Sequence, residues 1–394
     1  MIRVGFATSL DFTWLGGVNY IKNLLIALST ISEKEIQPVV FLSTETHPSI
    51  IDGLRPYSEI IFPPFLRKDS PCSFIWRLTK KLFDSDFFLE IFLKRYFIDV
   101  MSHSNIYGMR RIKSINWIPD FQHYRLKEMF SRNEIFLRNR LYRSIAKKSD
   151  FVVLSSVDAL NDYCKLYPLY SYKGRVLSFV PQIDKKVLYQ NKELDRQVLN
   201  KYDISDIFFF LPNQFWKHKN HLVVFQAMAS LKAEGLNILL VCTGEMSDYR
   251  DPNHFDSLLD YINANNLNVR LLGVIPYNDV ISLMRSSVAV VNPSKFEGWS
   301  STVEECKIVG KKMILSDIQV HREQNHHHCS YFPFNDVSCL AGLMRKNLED
   351  LRLNAEQSEP VESIELCQRE RTKIFADQYR KIVFDSVSLS QNYE

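Results

Sequence analysis

Nowhere in the 394 residues is there an uninterrupted apolar run approaching the ~20 residues needed to cross a bilayer, so any membrane association expected of this chain is peripheral. The opening MIRVGFATSL has no basic leader, no long apolar core and no small-residue cleavage site. It reads as a buried strand, and the protein is expected in the cytoplasm. The seven cysteines, at positions 72, 164, 242, 306, 329, 339 and 367, are odd in number and lack paired metal-ligand spacing. They suit a reducing compartment and are read as packing residues. Low-complexity tracts, short repeats and nucleic-acid-binding motifs are missing too, and no nucleic-acid partner is expected.

What is present is material for two cores. A chain of 394 residues exceeds what one hydrophobic core usually organises, and 46% hydrophobic with 13% aromatic residues supplies two α/β domains, while 24% charged residues give an ordinary surface. Net charge is only +4, yet residues 67–148 hold 18 Lys/Arg against 8 Asp/Glu, a local balance of 18 − 8 = +10 that points to an anionic partner. Within that stretch, Phe74 to Phe97 interleaves large apolar side chains with Lys80, Lys81, Lys94 and Arg95. Such a pattern suits an interfacial helix on anionic lipid, and equally a core helix with a solvated basic face.

The first half alternates β-rich runs (Ile2 to Thr8, Val39 to Ser43, Ile98 to His103, Ser114 to Ile118, Phe151 to Ser155, Arg175 to Val180) with helical ones (Gly17 to Ile31, Glu134 to Lys148, Val157 to Leu166). After a polar passage at Pro181 to Leu199 the rhythm restarts, with strands at Ile207 to Leu211, Ile238 to Thr243, Val269 to Leu272, Ala289 to Asn292 and Met313 to Ser316. Two doubly wound parallel sheets are expected, in domains 1–182 and 183–365, followed by a C-terminal helix at 366–394 returning toward the first domain. Two similar halves imply a cleft between them, and chemistry is sought where strands end.

Strand ends carry four notable stretches. Gly16 and Gly17 open a helix after the first strand; adjacent glycines admit a close ligand and a helix N-terminus favours an anion, although a Gly-Gly turn alone is weak and no GxGxxG is present. Lys217, His218, Lys219 and His221 lie where IFFFLPN turns into a helix, a place for cations to neutralise a diphosphate or for a solvated basic turn. WIPDFQH, at Trp117 to His123, closes another strand. The strongest constellation is VVNPSKFEGWSSTVEECKIVGKKMILSDI, in which Glu297 and Glu305 bracket a loop and helix start. The helix is expected to begin near Thr302, because Ser301-x-x-Glu304 and Thr302-x-x-Glu305 both fit a capping box, and to end at Gly310. Glu305 is then either a cap or a carboxylate for ribose hydroxyls, and Glu297 either a polar loop residue or a ligand for sugar hydroxyls.

The stretch FEGWSSTVEE resembles the E-x7-E signature of retaining glycosyltransferase family 4, whose members adopt the two-domain GT-B fold, two Rossmann-like domains with parallel sheets facing each other across a cleft. GGVNYIKNL, WIPDFQH and NQFWKHKNH extend the resemblance over nearly the whole chain. It implies that Gly16 and Gly17 lie against the donor diphosphate, that Lys219 matches the phosphate-binding lysine, and that Glu297 contacts the transferred sugar. It further implies that Glu305 binds the ribose, that backbone groups of Trp299, Ser300 and Ser301 line the sugar pocket, and that Gly273 and Val274 flank the base. Many members carry an arginine where Gln214 stands here; Lys217 would replace its charge without its bidentate fork. On the acceptor side His123, Asp120 and His103 are candidates for orienting a hydroxyl, or buried structural groups.

The expected activity is therefore transfer of a sugar from a nucleotide sugar to a glycan or lipid-linked acceptor, with neither metal nor other cofactor. A sugar-nucleotide epimerase of the same architecture and a non-catalytic binding protein are the alternatives. Two lesser patterns are set aside: Asp84-Ser85-Asp86, a D-x-D read as lying within a helix, and His326-His327-His328-Cys329, read as a solvated loop rather than a metal site.

Overall fold

The computed structural model describes residues 1–7, 15–31, 35–67, 69–188, 192–353 and 361–388. The chain divides into two units, Met1–Gln182 with Arg369–Glu394, and Ile183–Gln368. The first unit is built on seven parallel strands, β1 (Ile2–Phe6), β2 (Ile36–Phe41), β3 (Glu59–Ile61), β4 (Val100–Ser102), β5 (Lys113–Ile118), β6 (Phe151–Leu154) and β7 (Gly174–Val176), in the order β3-β2-β1-β4-β5-β6-β7. The second has six, β8 (Phe208–Pro212), β9 (Leu239–Thr243), β10 (Val269–Leu271), β11 (Val290–Asn292), β12 (Met313–Ser316) and β13 (Cys329–Phe332), in the order β10-β9-β8-β11-β12-β13. In each sheet the chain works outward from one strand and then returns to its other side, which creates a switch point between β1 and β4 and between β8 and β11.

Central strands such as FVVL of β6 and LLVCT of β9 are buried at every position, as helices on both faces of a parallel sheet require. Two edge strands, β3 and β13, lack that apolar run: EII and CSYF are only partly covered, and periodicity does not mark them. The passage Pro181 to Leu199 is not extended chain; it holds a short helix at Lys185–Leu188 and part of another at Lys192–Lys201. The last helix, Val361–Ser388, sends Phe375, Ala376, Tyr379, Ile382 and Val383 into the core of the first unit beside Phe6, Tyr20 and Leu24.

The segment Phe74 to Phe97 is two helices rather than one, Pro71–Phe83 and Phe87–Arg95. The Asp-Ser-Asp run is not inside a helix but separates them, with Asp84 left-handed at φ 48°. Asp86 is fully buried and accepts hydrogen bonds from Trp76 Nε1 (2.6 Å), Lys80 Nζ (2.9 Å) and the Tyr107 N–H (2.9 Å), so it braces the fold. The His326–Cys329 run is likewise not a plain solvated loop. His326 is buried, its Nε2 lies 2.7 Å from the Lys311 carbonyl, and Cys329 begins β13. Among the described residues no helix is long and apolar enough to cross a membrane.

Candidate active site

The second unit gathers its polar side chains at the β8/β11 switch point. β8 is followed by Asn213, a buried amide that donates to Asn292 Oδ1 (3.1 Å) at the end of β11. Asn292 in turn accepts from Ser294 Oγ (2.8 Å) and donates to Ser300 Oγ (3.0 Å). The loops after the two strands are thus stitched by side chains that replace the ladder bonds lost when strands diverge. Beyond β8 a tight turn at Lys217–Lys219 leads through Asn220, left-handed at φ 59°, into the helix His221–Ala233. Asn220 Nδ2 donates to the carbonyls of Pro293 (3.1 Å) and Phe334 (2.7 Å), and the Lys295 N–H donates to the His218 carbonyl (2.8 Å).

This framework brings Lys219 and Glu297 together: Nζ lies 2.7 Å from Oε1, with both side chains largely withdrawn from solvent. Burial pushes the Glu297 carboxyl up, but the Lys219 ammonium, the nearby His321 and hydrogen bonds from Lys219 and Ser294 outweigh it and leave the group below its ordinary value. Glu297 is therefore an anion at neutral pH. Behind it His321 is fully buried, its Nδ1 donating to the Ser316 carbonyl (2.9 Å), while Ser316 Oγ donates to the Ser294 carbonyl (2.5 Å).

The helix Ser301–Val309 begins one residue earlier than Thr302, with Ser300 as its cap accepting from the Val303 N–H. Neither expected capping box forms. Glu304 is buried and receives Gln324 Nε2 (2.9 Å) and Lys307 Nζ (3.0 Å), whereas Glu305 receives the Tyr277 hydroxyl (2.9 Å). Capping does not account for Glu305. Burial raises its carboxyl to about 7, against the lowering effect of the Tyr277 hydrogen bond. Gly310, left-handed at φ 66°, ends the helix. Trp299 is half-buried, Ser300 is buried and Ser301 is exposed.

Other expected residues fall in different surroundings. Lys217 is half exposed and its Nζ pairs with Asp251 Oδ2 (2.9 Å). His218 and His221 do not belong to a solvated turn: both are buried, His221 stacks on Phe215 at 4.2 Å, and burial holds both rings well below the usual histidine range. Gly273 follows β10 at φ 67° and accepts at its carbonyl from the Gly244 N–H (2.9 Å); Val274 beside it is exposed. Gly244 itself has φ 129°, and a Cβ there would sit 2.6 Å from the Asn213 carbonyl oxygen. The sequence reading missed Gly244, Tyr277, His321 and Gln324. A glycine directly after strand β9 was the one local signal among them.

In the first unit Gly16 and Gly17 occupy the first turn of the helix Leu15–Ser29, Gly17 buried and Gly16 exposed, and the preceding loop at 8–14 lies outside the described residues. Asp120 Oδ1 accepts from the Gln122 N–H (2.9 Å) and so starts the short helix Gln122–Arg125. His123 is buried against Tyr142 and Phe130, its Nε2 lies 3.0 Å from Asn139 Oδ1, and burial lowers its basicity. His103, left-handed at φ 51° at the β1/β4 switch point, is enclosed by Phe6, Tyr20, Trp117 and Tyr379. Burial lowers its pKa to about 3, so the ring is neutral at neutral pH.

Residues 191–361 match the family model described as Glycosyl transferases group 1. No curated protein matches the sequence. Among solved structures the chain is similar to a glycosyltransferase from Rickettsia africae, at 16% identity and a TM-score of 0.65 over 98% of each chain. It is also similar to HepE of Anabaena in complex with UDP-glucose, at 12% identity and a TM-score of 0.66 over 100% of both chains. A sucrose-phosphate synthase from Thermosynechococcus elongatus gives 14% and 0.61, over 100% of this chain and 99% of that one. At such identities structural likeness establishes the fold, while the sequence model identifies the domain at residues 191–361. Residues 191–361 form a glycosyl transferases group 1 domain in a chain of GT-B fold, and the chain is a glycosyltransferase.

Proposed function

We propose that this glycosyltransferase moves a sugar from a nucleoside-diphosphate sugar to a hydroxyl of a glycan or lipid-linked acceptor, retaining anomeric configuration and using no metal, in cell-surface polysaccharide or glycolipid assembly at the cytoplasmic face of a membrane. The observation that carries the donor half is the Lys219–Glu297 pair at the β8/β11 switch point, with Glu305 eight residues further on under Tyr277. An arriving diphosphate takes a share of the Lys219 ammonium, which frees the Glu297 carboxylate for hydroxyls of the transferred sugar. As the sugar–phosphate bond breaks, charge grows on the leaving diphosphate, and the fixed Lys219 ammonium together with the N–H groups opening the helix Ser301–Val309 would stabilise it without reorganisation. Glu305 accepts from the ribose. The UDP-glucose bound by HepE supports a sugar nucleotide as donor. Asp120 and His123 are assigned to the acceptor, and Gly16 and Gly17 to the donor.

Thermal-shift measurement over a set of nucleoside diphosphates, followed by product analysis, tests this reading. One base should stand out, since a ligand at 100 times its dissociation constant adds ~2.7 kcal/mol. The labelled sugar should then appear on an acceptor with its anomeric configuration kept. Conversion of the nucleotide sugar without any acceptor would instead mark an epimerase.

A further inference from the structure

The helices Pro71–Phe83 and Phe87–Arg95 are apolar on both faces. Their inward faces pack Trp76, Leu89, Phe92 and Leu93 into the core and add polar anchors: Ser73, Asp86 and Glu90 are buried, Lys80 bonds Asp86 and the Asn105 carbonyl, and Glu90 accepts from the N–H groups of Arg110 and Arg111. Their outward faces carry the large apolar residues. Phe74 (68% exposed), Leu82 (67%) and Phe83 (60%) stand in solvent, and Ile75, Leu78, Phe87 and Ile91 are also exposed. An ordinary amphipathic helix on a globular core keeps its outward face polar. A cluster of large exposed apolar residues of this kind marks an interaction site.

Phe97 is a second, independent sign. The helix Phe87–Arg95 ends with the Phe97 N–H donating to the Lys94 carbonyl (3.0 Å) and the Ile98 N–H to the Leu93 carbonyl (3.3 Å), the pattern in which a left-handed residue closes a helix. Glycine suits that place, yet here a phenylalanine holds φ 55° and leaves 77% of its surface exposed. A bulky residue there is strained and its ring gains no burial, so the fold itself has no use for it.

Charge selects the occupant. Every acid of the two-helix segment is turned to an internal partner: Asp84 pairs with Lys148, Asp86 with Lys80, and Glu90 caps backbone N–H groups. Arg77 and Lys81 stand exposed among the apolar residues, with Lys94 and Arg95 at the end beside Phe97, so the charge offered outward is positive. We infer that this surface is a membrane-docking face: Phe74, Leu82, Phe83 and Phe97 enter the headgroup region of an anionic bilayer while Arg77, Lys81 and Arg95 meet lipid phosphates. Large apolar side chains that share an exposed face with cations fit an anionic lipid surface better than a second protein, whose interface core is depleted of charge.

Flotation of the full chain with vesicles of phosphatidylglycerol and phosphatidylcholine, and with phosphatidylcholine alone, tests the inference without any nucleotide, so its outcome is separate from the donor-site reading. Wild type should float with the anionic vesicles, and less so at high salt. Phe97→Gly should lower binding about tenfold, as loss of one buried ring requires, while its melting temperature holds or rises because glycine relieves the left-handed strain. Phe74→Ser with Leu82→Ser should abolish flotation in a protein that still melts cooperatively. Absence of wild-type flotation, unchanged binding by Phe97→Gly, or a wild-type dimer that Phe74→Ser dissolves would each overturn it, the last by making the face a contact between copies.

Discussion

The two units share one topology and use its switch point in opposite ways. At β1/β4 the space beyond the strands is filled with rings: Tyr20 stacks on Trp117 at 4.1 Å, and the neutral His103 lies between Tyr20, Phe6 and the Tyr379 ring contributed by the last helix. At β8/β11 it holds an amide relay, Asn213 to Asn292 to Ser300, and the Lys219–Glu297 pair. A doubly wound sheet supplies a location, and side chains decide whether that location is closed as core or kept as chemistry. In the first unit a histidine at a strand end, which sequence alone offers for orienting a hydroxyl or as a structural group, is held neutral by burial. In the second unit an equally withdrawn carboxylate stays ionised because a cation is built in beside it.

The sharpest way to break the contrast is to empty the aromatic side. Tyr379→Ala removes a fully buried ring and should cost about 3–4 kcal/mol, read as a lower melting temperature, with nucleotide affinity of the surviving folded protein unchanged. A comparable loss of nucleotide affinity would mean that the ring cluster belongs to the donor site.

Glu305 gives the next largest effect, and its sign is determined. Its carboxyl rises from 4.5 to about 7 on folding, so the native state holds a proton that the unfolded chain releases. The group is neutral to stability below pH 4.5, grows costly between that value and about 7, and levels off above it at roughly 3 kcal/mol. Glu305→Gln should therefore gain on wild type in chemical denaturation as pH rises through this window. A nucleotide whose ribose donates to Glu305 should release a proton near neutrality, visible by calorimetry in buffers of different ionisation heat. A pH-independent difference between the two proteins would refute the burial argument.

The smallest effect is expected at Lys217. Its partner Asp251 lies at the surface, and such pairs contribute ~0–1 kcal/mol. Lys217→Met should change melting temperature and nucleotide affinity little; a tenfold loss of affinity would show that this ammonium, not Lys219 alone, replaces the fork absent at Gln214.

Much of this was legible in the residues. Strands buried on both faces announce themselves by apolar runs, so the central sheet order follows once crossovers are taken as right-handed helical units. Edge strands β3 and β13 do not, because one open side lets Glu59, Cys329 and Ser330 stand among few apolar residues. Spacing marks Glu297 and Glu305. Their partners come from elsewhere in the chain, Lys219 and Tyr277 from 78 and 28 residues away, and only Lys219 lay in a stretch that drew notice. His218 and His221 read in the sequence as part of a basic strand-to-helix turn. The left-handed Asn220 between them turns both rings inward.

The central claim is that the charge of Glu297, held beside Lys219, serves the transferred sugar rather than the fold. Glu297→Gln keeps the shape and removes the charge. Turnover should fall by roughly 100-fold or more, while the variant binds the preferred nucleoside diphosphate as tightly as wild type or tighter, since Lys219 is no longer shared. Wild-type turnover in a folded Glu297→Gln protein would contradict the account.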